Sequence, residues 1–377
     1  MRKVCYVTGT RADYGLMQHA LQAFATHPSI DLSICVTGMH LLAAFGNTVE
    51  EIEADGIRIS GRVLVDLSGA SGAEMAFAIA DELTGFTQTF QDESPDVVVV
   101  LGDRGEMLAA AIAAIHLNIP IIHIHGGERS GTVDESVRHA ISKLSHYHFV
   151  STIESKNRLT KMGEREDHIF VTGAPGLDKI VGMSAESRET LLPRYGLNSN
   201  DEYCLVVFHP VVQESELAGK QMRTLLQALD RDRRNRIVLL PNADAGGTKI
   251  RTEIDQYCRE HAMPVVTHCP RNDYLSLLAN AKVLVGNSSS GIIEAASLGT
   301  AVVNVGNRQK ARERNQNVID VSVDETEIAN AIAEHWSSAE VQSRENVYGD
   351  GEFASRATQL VVTLDLGANL LDKLNTY

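Results

Sequence analysis

Short runs of Val, Ile, Leu and Cys alternate along the chain with longer stretches whose apolar residues recur every three or four positions. The runs "KVCYVTG", "DLSICVTG", "DVVVVLGD" and "IPIIHIH", followed by "YHFVST" and "HIFVTG", are near-continuously apolar. That pattern marks parallel strands covered on both faces, since a half-exposed strand would alternate. Between them, "YGLMQHALQAFATH" and "RGEMLAAAIAAIHL" show helical spacing. The rhythm resumes with "CLVVFHP", "RIVLLPN", "PVVTHC", "AKVLVGN" and "AVVNVG" after a polar, turn-rich junction, "GLDKIVGMSAESRETLLPRYGLNSNDEY". The expected fold is α/β, with two doubly wound Rossmann-like domains facing a cleft and ligands at the strand C-termini. We place the domains at 1–180 and 181–355, with 356–377 a helix packing back on the first.

A length of 377 residues suits two cores of similar size. The formal charge of -15 argues against nucleic acid or an anionic membrane surface as partner. An anionic small molecule must therefore be caught by local cations. The five cysteines form no C-x-x-C pair, and four lie in or beside apolar runs, which fits a reducing cytosol. No stretch approaches the roughly 20 apolar residues of a membrane span, and "MRKVCYVTGT" is not signal-like. The expected location is cytoplasmic.

Ionisable residues recur where strands end. "GTRADYG" brings Arg11 and Asp13, and "LGDRGE" brings Asp103 and Arg104. "HIHGGERSGTVDESVRH" brings His125, Glu128, Asp134, Arg138 and His139. In the second half "FHP" offers His209, and "PNADAGG" offers Asn242 and Asp244. In "VLVGNSSSGIIEAASLGT" a strand ends at Gly286 and a helix is expected near Gly291. Backbone N–H groups and the hydroxyls of Ser288, Ser289 and Ser290 would then face one spot, an anion site. Glu294 is placed to accept from ribose hydroxyls, and Arg308 in "VGNRQ" adds a fork-like cation for a diphosphate. Neither a Walker A loop nor a G-x-G-x-x-G turn is present, so a nicotinamide cofactor is not favoured.

Together these motifs, in order over nearly the whole chain, resemble the UDP-N-acetylglucosamine 2-epimerases, and most closely their hydrolysing branch that opens sialic-acid synthesis. The resemblance implies a GT-B-like pair of domains, a cleft-bound UDP-sugar, no metal or other cofactor, and a homodimer or homotetramer. By motif it implies that UDP is held by Arg11, His209, Asn242, Ser288, Ser289, Glu294 and Arg308, with Arg104 facing the sugar or diphosphate. The implied products are N-acetylmannosamine and UDP, by way of a 2-acetamidoglucal. The sugar's C2 hydrogen has no adjacent carbonyl, so departure of UDP must first build positive charge at C1. Such a site needs cations on the diphosphate, anions near C1 and C2, and an acid and a base. Asp103, Asp134 and Glu128 supply carboxylates; Arg104, Arg138, His139 and His209 supply cations or proton donors, and Asp103 with Asp134 is the pair expected to matter most.

The sequence departs from the family at His125, where the family pattern H-[IV]-E-G-G-E has glutamate; an imidazole also serves as acid or base near neutral pH. The change is compatible with UDP-2,4-diacetamido-2,4,6-trideoxyglucose, of the legionaminic-acid pathway, as the substrate instead of UDP-N-acetylglucosamine. Other readings are a non-hydrolysing epimerase, a non-catalytic UDP-sugar sensor, and a metal-dependent hydrolase built on "HIH" with His209 and His268.

Overall fold

The computed structural model describes residues 1–67, 71–130, 133–231, 233–242, 244–261, 263–267, 269–337 and 343–376. Seven strands form the first sheet: β1 (Arg2–Thr8), β2 (Ile30–Thr37), β3 (Ile59–Val63), β4 (Val97–Leu101), β5 (Ile121–Ile124), β6 (Tyr147–Val150) and β7 (Ile169–Val171). The second holds β8 (Tyr203–Val207), β9 (Asn235–Leu239), β10 (Val265–Val266), β11 (Val283–Gly286), β12 (Ala301–Val305) and β13 (Val318–Val321). Their orders are β3-β2-β1-β4-β5-β6-β7 and β10-β9-β8-β11-β12-β13. Every pairing is parallel; at the centre of the first sheet Val4 lies level with Leu32 on one side and Val97 on the other. These are two doubly wound Rossmann-like sheets. The chain reverses direction of winding at β1/β4 and at β8/β11, and loops leaving those strands open a crevice there.

The strands are apolar throughout because both faces are covered. Val4, Tyr6, Val97 and Val99 pack with Tyr14, Met17, Leu21 and Phe24 of helix Arg11–Thr26. Their neighbours Cys5, Val7, Val98 and Val100 pack on the opposite face with Phe86, Phe90 and the alanines of helix Gly105–His116. Two edge strands, β3 and β13, escape the apolar-run reading. Their sequences, "ISGRV" and "VIDV", are mostly half-exposed and carry polar residues.

The junction is less of a linker than its composition suggests, because Leu177, Ile180, Leu191 and Leu192 enter the core of the second domain. The chain crosses between domains twice, near Gly173 and Gly349. A Cβ on Gly349 would lie 2.9 Å from the Gly173 Cα, so two backbones touch where a side chain has no room. The Ala174 N–H donates to the Tyr348 carbonyl at 2.8 Å. Asp178 then caps the last helix, accepting from the Phe353 N–H (2.8 Å) and the Ala354 N–H (2.5 Å). That helix, Phe353–Thr363, packs Phe353, Ala354, Ala357 and Val361 into the first domain's core. It starts three residues before 356 and stops at Thr363; among the described residues beyond it the one helical element is a short 3₁₀ turn, Ala368–Leu370. Among the described residues no helix is long and apolar enough to cross a membrane.

Three buried histidines make acid a threat to this fold. Burial pushes His40 and His146 down to about 4 and His123 to about 3. All three stay neutral when folded, whereas in the unfolded chain they protonate near pH 6.5. Their contribution is therefore complete above pH 6.5 and is lost as pH falls towards 4 and 3, by about 1.4 kcal/mol per group per pH unit. Because buried carboxyls such as Asp13 act in the opposite sense, the contribution is read by difference: a His40→Asn variant should lose less stability than the parent between pH 7.5 and 5.5 in urea unfolding. An equal loss in variant and parent would contradict the neutral assignment of His40.

Candidate active site

At the end of β1, Thr10 caps helix Arg11–Thr26. Its hydroxyl accepts from the Asp13 N–H at 3.2 Å, and the Asp13 carboxylate accepts from the N–H groups of Gly9 (3.1 Å) and Thr10 (2.9 Å). Burial raises Asp13 to about 7, opposed by the Thr8 hydrogen bond and reinforced by Glu106. Asp13 thus builds the turn. Arg11, next to it, keeps a buried Nη1 with no hydrogen-bond partner, a donor ready for an anion. After β4, Arg104 spans the two domains: Nε donates to Glu106 Oε1 at 2.6 Å and Nη1 to Asp244 Oδ1 at 3.1 Å. Burial opposes its charge, but Glu106 and Asp244 hold it above the ordinary guanidinium value.

His125 leaves β5 with φ of 63°, a left-handed conformation that costs a non-glycine residue about 1 kcal/mol or more. Its Nδ1 is bonded to Glu128 Oε1 and lies 3.1 Å from the Ser151 hydroxyl, which also donates to Glu128 at 2.9 Å. The other Glu128 oxygen receives Arg312 from the second domain. Burial works to raise Glu128, but His125 and Arg312 outweigh it and hold the carboxyl at about 2. Glu128 accepts from Nδ1 and fixes the orientation of the ring, leaving Nε2 as the nitrogen not engaged by it. Helix Val133–Leu144 carries Asp134, Arg138 and His139. Arg138 is fully buried; it pairs with Asp103 and donates to the Glu128 carbonyl at 3.1 Å. Burial and the neighbouring Arg312, Arg158 and Arg308 push it well below the usual guanidinium range, the mark of a cationic cluster short of negative charge. His139 lies 3.6 Å from Glu135, and burial lowers it from its ordinary value.

In the second domain Asn287 ties the two crevice loops together. Its Oδ1 accepts from the His209 N–H at 2.7 Å, and its Nδ2 donates to the His209 carbonyl at 2.8 Å. Arg308 and Gln309 donate to the Asn287 carbonyl at 3.1 and 3.0 Å. Burial, then Arg308, lowers His209 to about 3, and its Nδ1 accepts from the Asn242 N–H at 3.3 Å. His209 is therefore a neutral donor through Nε2, not a cation. Asn242 in turn donates to Asp244 at 2.6 Å. Burial lowers Arg308; of the charges acting on it, Asp134 and Asp244 hold it up while Arg312 and Arg104 push it down. Arg308 thus sits among groups from both domains.

The serine turn differs from expectation. The helix starts at Ser289, not near Gly291, and runs only to Ile293. Ser288 caps it, accepting from the Ser290 N–H at 3.3 Å. Ser290 is buried, with its hydroxyl bonded to Tyr274 and 3.0 Å from that of Ser288. Five residues also make a weak dipole, which shifts the anion grip towards Arg308 and Arg11. Glu294 lies at the break after this helix, buried and paired with Arg271. Gly286 is required here: at φ of 141°, a Cβ would meet the Val207 carbonyl at 2.1 Å.

Taken together, Asp103, Asp134, His125, Glu128 and Arg138 of the first domain converge with Arg308, Arg312 and Asp244 of the second. Sequence reasoning missed Arg312 and Asn287. Arg312 stands four residues after Arg308 in a charged run that reads as solvated surface, and Asn287 reads as turn filler. Of the "HIH" pair, His123 is committed elsewhere, bonding the Gly102 carbonyl at 2.7 Å and Ser142 at 3.1 Å. His268 lies outside the described residues, and among those described no cluster of His, Cys, Asp and Glu is arranged to hold a metal.

The family profile described as UDP-N-acetylglucosamine 2-epimerase matches residues 22–362. A Legionella pneumophila protein described as UDP-N,N'-diacetylbacillosamine 2-epimerase (hydrolyzing) is 52% identical over 377 residues, all of both chains. An Escherichia coli polysialic acid biosynthesis protein P7 is 36% identical over 88% of this chain and 85% of its own. Among solved structures, a Neisseria meningitidis UDP-GlcNAc 2-epimerase bound to UDP-GlcNAc superposes with a TM-score of 0.79 at 20% identity, covering 96% of this chain and all of the other.

Proposed function

The chain belongs to the UDP-N-acetylglucosamine 2-epimerase family, as an enzyme of the hydrolysing branch, and from that premise we propose how its cleft works. UDP lies against the second domain, with its diphosphate between Arg308, Arg11 and Arg104 and its remaining contacts from His209, Asn242, Ser288, Ser289 and Glu294. The sugar faces Asp103, Asp134, His125 and Glu128. The C1–O bond breaks and its electron pair leaves on the β-phosphate oxygen, where the cations stabilise it. Asp103 and Asp134 face the cationic ring. His125, oriented by Glu128, removes the C2 proton through Nε2, and the C–H pair becomes the C1=C2 bond of a glycal. A proton then returns to C2 on the opposite face and water adds at C1. Net, UDP-sugar and water give UDP and the free 2-epimer. The observation that carries this reading is that ion pairs cross the crevice, Arg104 of the first domain meeting Asp244 at 3.1 Å and Arg312 of the second meeting Glu128.

For the sugar we favour UDP-N,N'-diacetylbacillosamine, the trideoxy alternative, over UDP-N-acetylglucosamine. The support is the full-length 52% identity to the protein of that description. The same reading makes the enzyme a cytoplasmic homo-oligomer, dimer or tetramer, which light scattering would test.

NMR of the products formed from each UDP-sugar in deuterated water tests the proposal. We expect free UDP, faster release from the diacetamido sugar, and deuterium at C2 of the released epimer. An unlabelled epimer would contradict elimination and readdition, and a UDP-linked epimer without free UDP would favour the reversible branch.

A further inference from the structure

The segment near the end of the chain reaches back behind the cleft. Lys373 Nζ donates to the carbonyls of Ser142 (3.1 Å), Lys143 (2.9 Å) and Ser145 (2.5 Å), the terminal carbonyls of helix Val133–Leu144 and its exit. This is the helix that carries Asp134, Arg138 and His139. A cation there satisfies carbonyls that have no partner within the helix and complements its negative end. The ammonium also pairs with the buried Glu164 at 2.6 Å, and Glu164 holds Lys143 (2.7 Å) and His148 (3.1 Å). The segment is fastened further by the Thr376 N–H, which donates to the Gly163 carbonyl at 2.8 Å.

Ser142 is gripped at both ends. Lys373 takes its carbonyl, while its hydroxyl bonds His123 Nδ1 at 3.1 Å. The other nitrogen of His123 bonds the carbonyl of Gly102, the residue before Asp103, at 2.7 Å. The Asp103–Arg138 pair is thus braced from behind on both sides: the Arg138 helix through Lys373, and the Asp103 loop through His123.

We propose that Lys373 is a positioning residue for the sugar end of the cleft, fixing where helix Val133–Leu144 sits so that Arg138 meets Asp103. It touches neither the cleft nor the second-domain groups that hold the nucleotide. The inference rests on the reaction proposed above, in which Asp103 faces the reacting sugar.

The test is kinetics of the full chain as Lys373→Met and Lys373→Arg, with UDP binding by calorimetry and thermal unfolding alongside. Lys373→Met should lower kcat about tenfold or more, because displacements near 1 Å weigh heavily on catalytic geometry. KM and the Kd for UDP should stay within about twofold, and Lys373→Arg, whose guanidinium also donates to carbonyls, should recover most of kcat. Lys143→Met, which leaves Lys373 on the helix end, should keep kcat within about twofold. An unchanged kcat in Lys373→Met overturns the inference. So does a loss shared equally by kcat, UDP affinity and melting temperature, or one that arginine does not rescue. Should Lys373→Met not fold, Lys373→Gln takes its place: it removes the charge and leaves a single weaker donor group, so its kcat should fall clearly below that of Lys373→Arg, and equal kcat in the two overturns the inference. Failure of the unsubstituted enzyme to release UDP is a separate result, and it counts against the reaction instead.

Discussion

His125→Gln should lower kcat by roughly 10²–10⁴-fold, the usual contribution of one positioned acid or base, while leaving the Kd for UDP nearly unchanged. The split follows from placement. His125 stands at the end of β5 in the first domain, whereas Arg308, Asn242 and His209 belong to the second. Glutamine keeps a donor for Glu128, so the fold around it should survive, but it cannot carry a proton away from carbon. Deuterium uptake at C2 should fall in step with UDP release, because C1–O cleavage is carried forward only when the C2 proton is taken. A kcat within about tenfold of the parent enzyme would move the base to another group, with Asp134 first in line.

Glu128→Gln should damage both stability and turnover. Glu128 is buried between His125, Ser151 and Arg312, and removing its charge strands a mostly buried guanidinium from the other domain. Breaking one side of a buried pair costs about 3–5 kcal/mol. The same contacts set the sign of the pH dependence. The folded value of about 2 lies below the unfolded carboxylate value near 4.3, so the stabilisation is complete above about pH 4.3 and disappears as pH falls towards 2. The variant should melt roughly 5–10 °C lower at pH 7, and its stability should change less than the parent's between pH 4 and 2. Turnover should fall as well, since His125 loses the carboxylate that fixes its orientation. Melting within about 1 °C of the parent would mean that the Glu128–Arg312 contact is not closed in solution.

Much of this arrangement was readable before any coordinates. The buried strands announce themselves because both of their faces are apolar, and the reactive residues lie at their C-terminal ends because doubly wound sheets expose that edge to the cleft. Edge strands β3 and β13 were illegible for the same reason inverted: half-exposed strands carry polar residues and look like loops. Arg312 was hidden because a charge that crosses a domain interface has no local pattern; only the closure of the cleft brings it to Glu128. Lys373 was hidden likewise, its partners lying some 230 positions away in the chain. Composition cannot tell which of three neighbouring serines faces inward. Tyr274 decides that for Ser290.

The central claim is that one crevice joins a diphosphate grip on the second domain to carboxylates and an imidazole on the first. A crystal structure of the enzyme with UDP measures this most directly. The account predicts the β-phosphate within hydrogen-bonding distance of both Arg308 and Arg11, with the leaving oxygen turned towards Asp103, Asp134 and His125. UDP bound anywhere that leaves Arg308 and Asp134 on different surfaces, or a β-phosphate pointing out of the crevice, would contradict it.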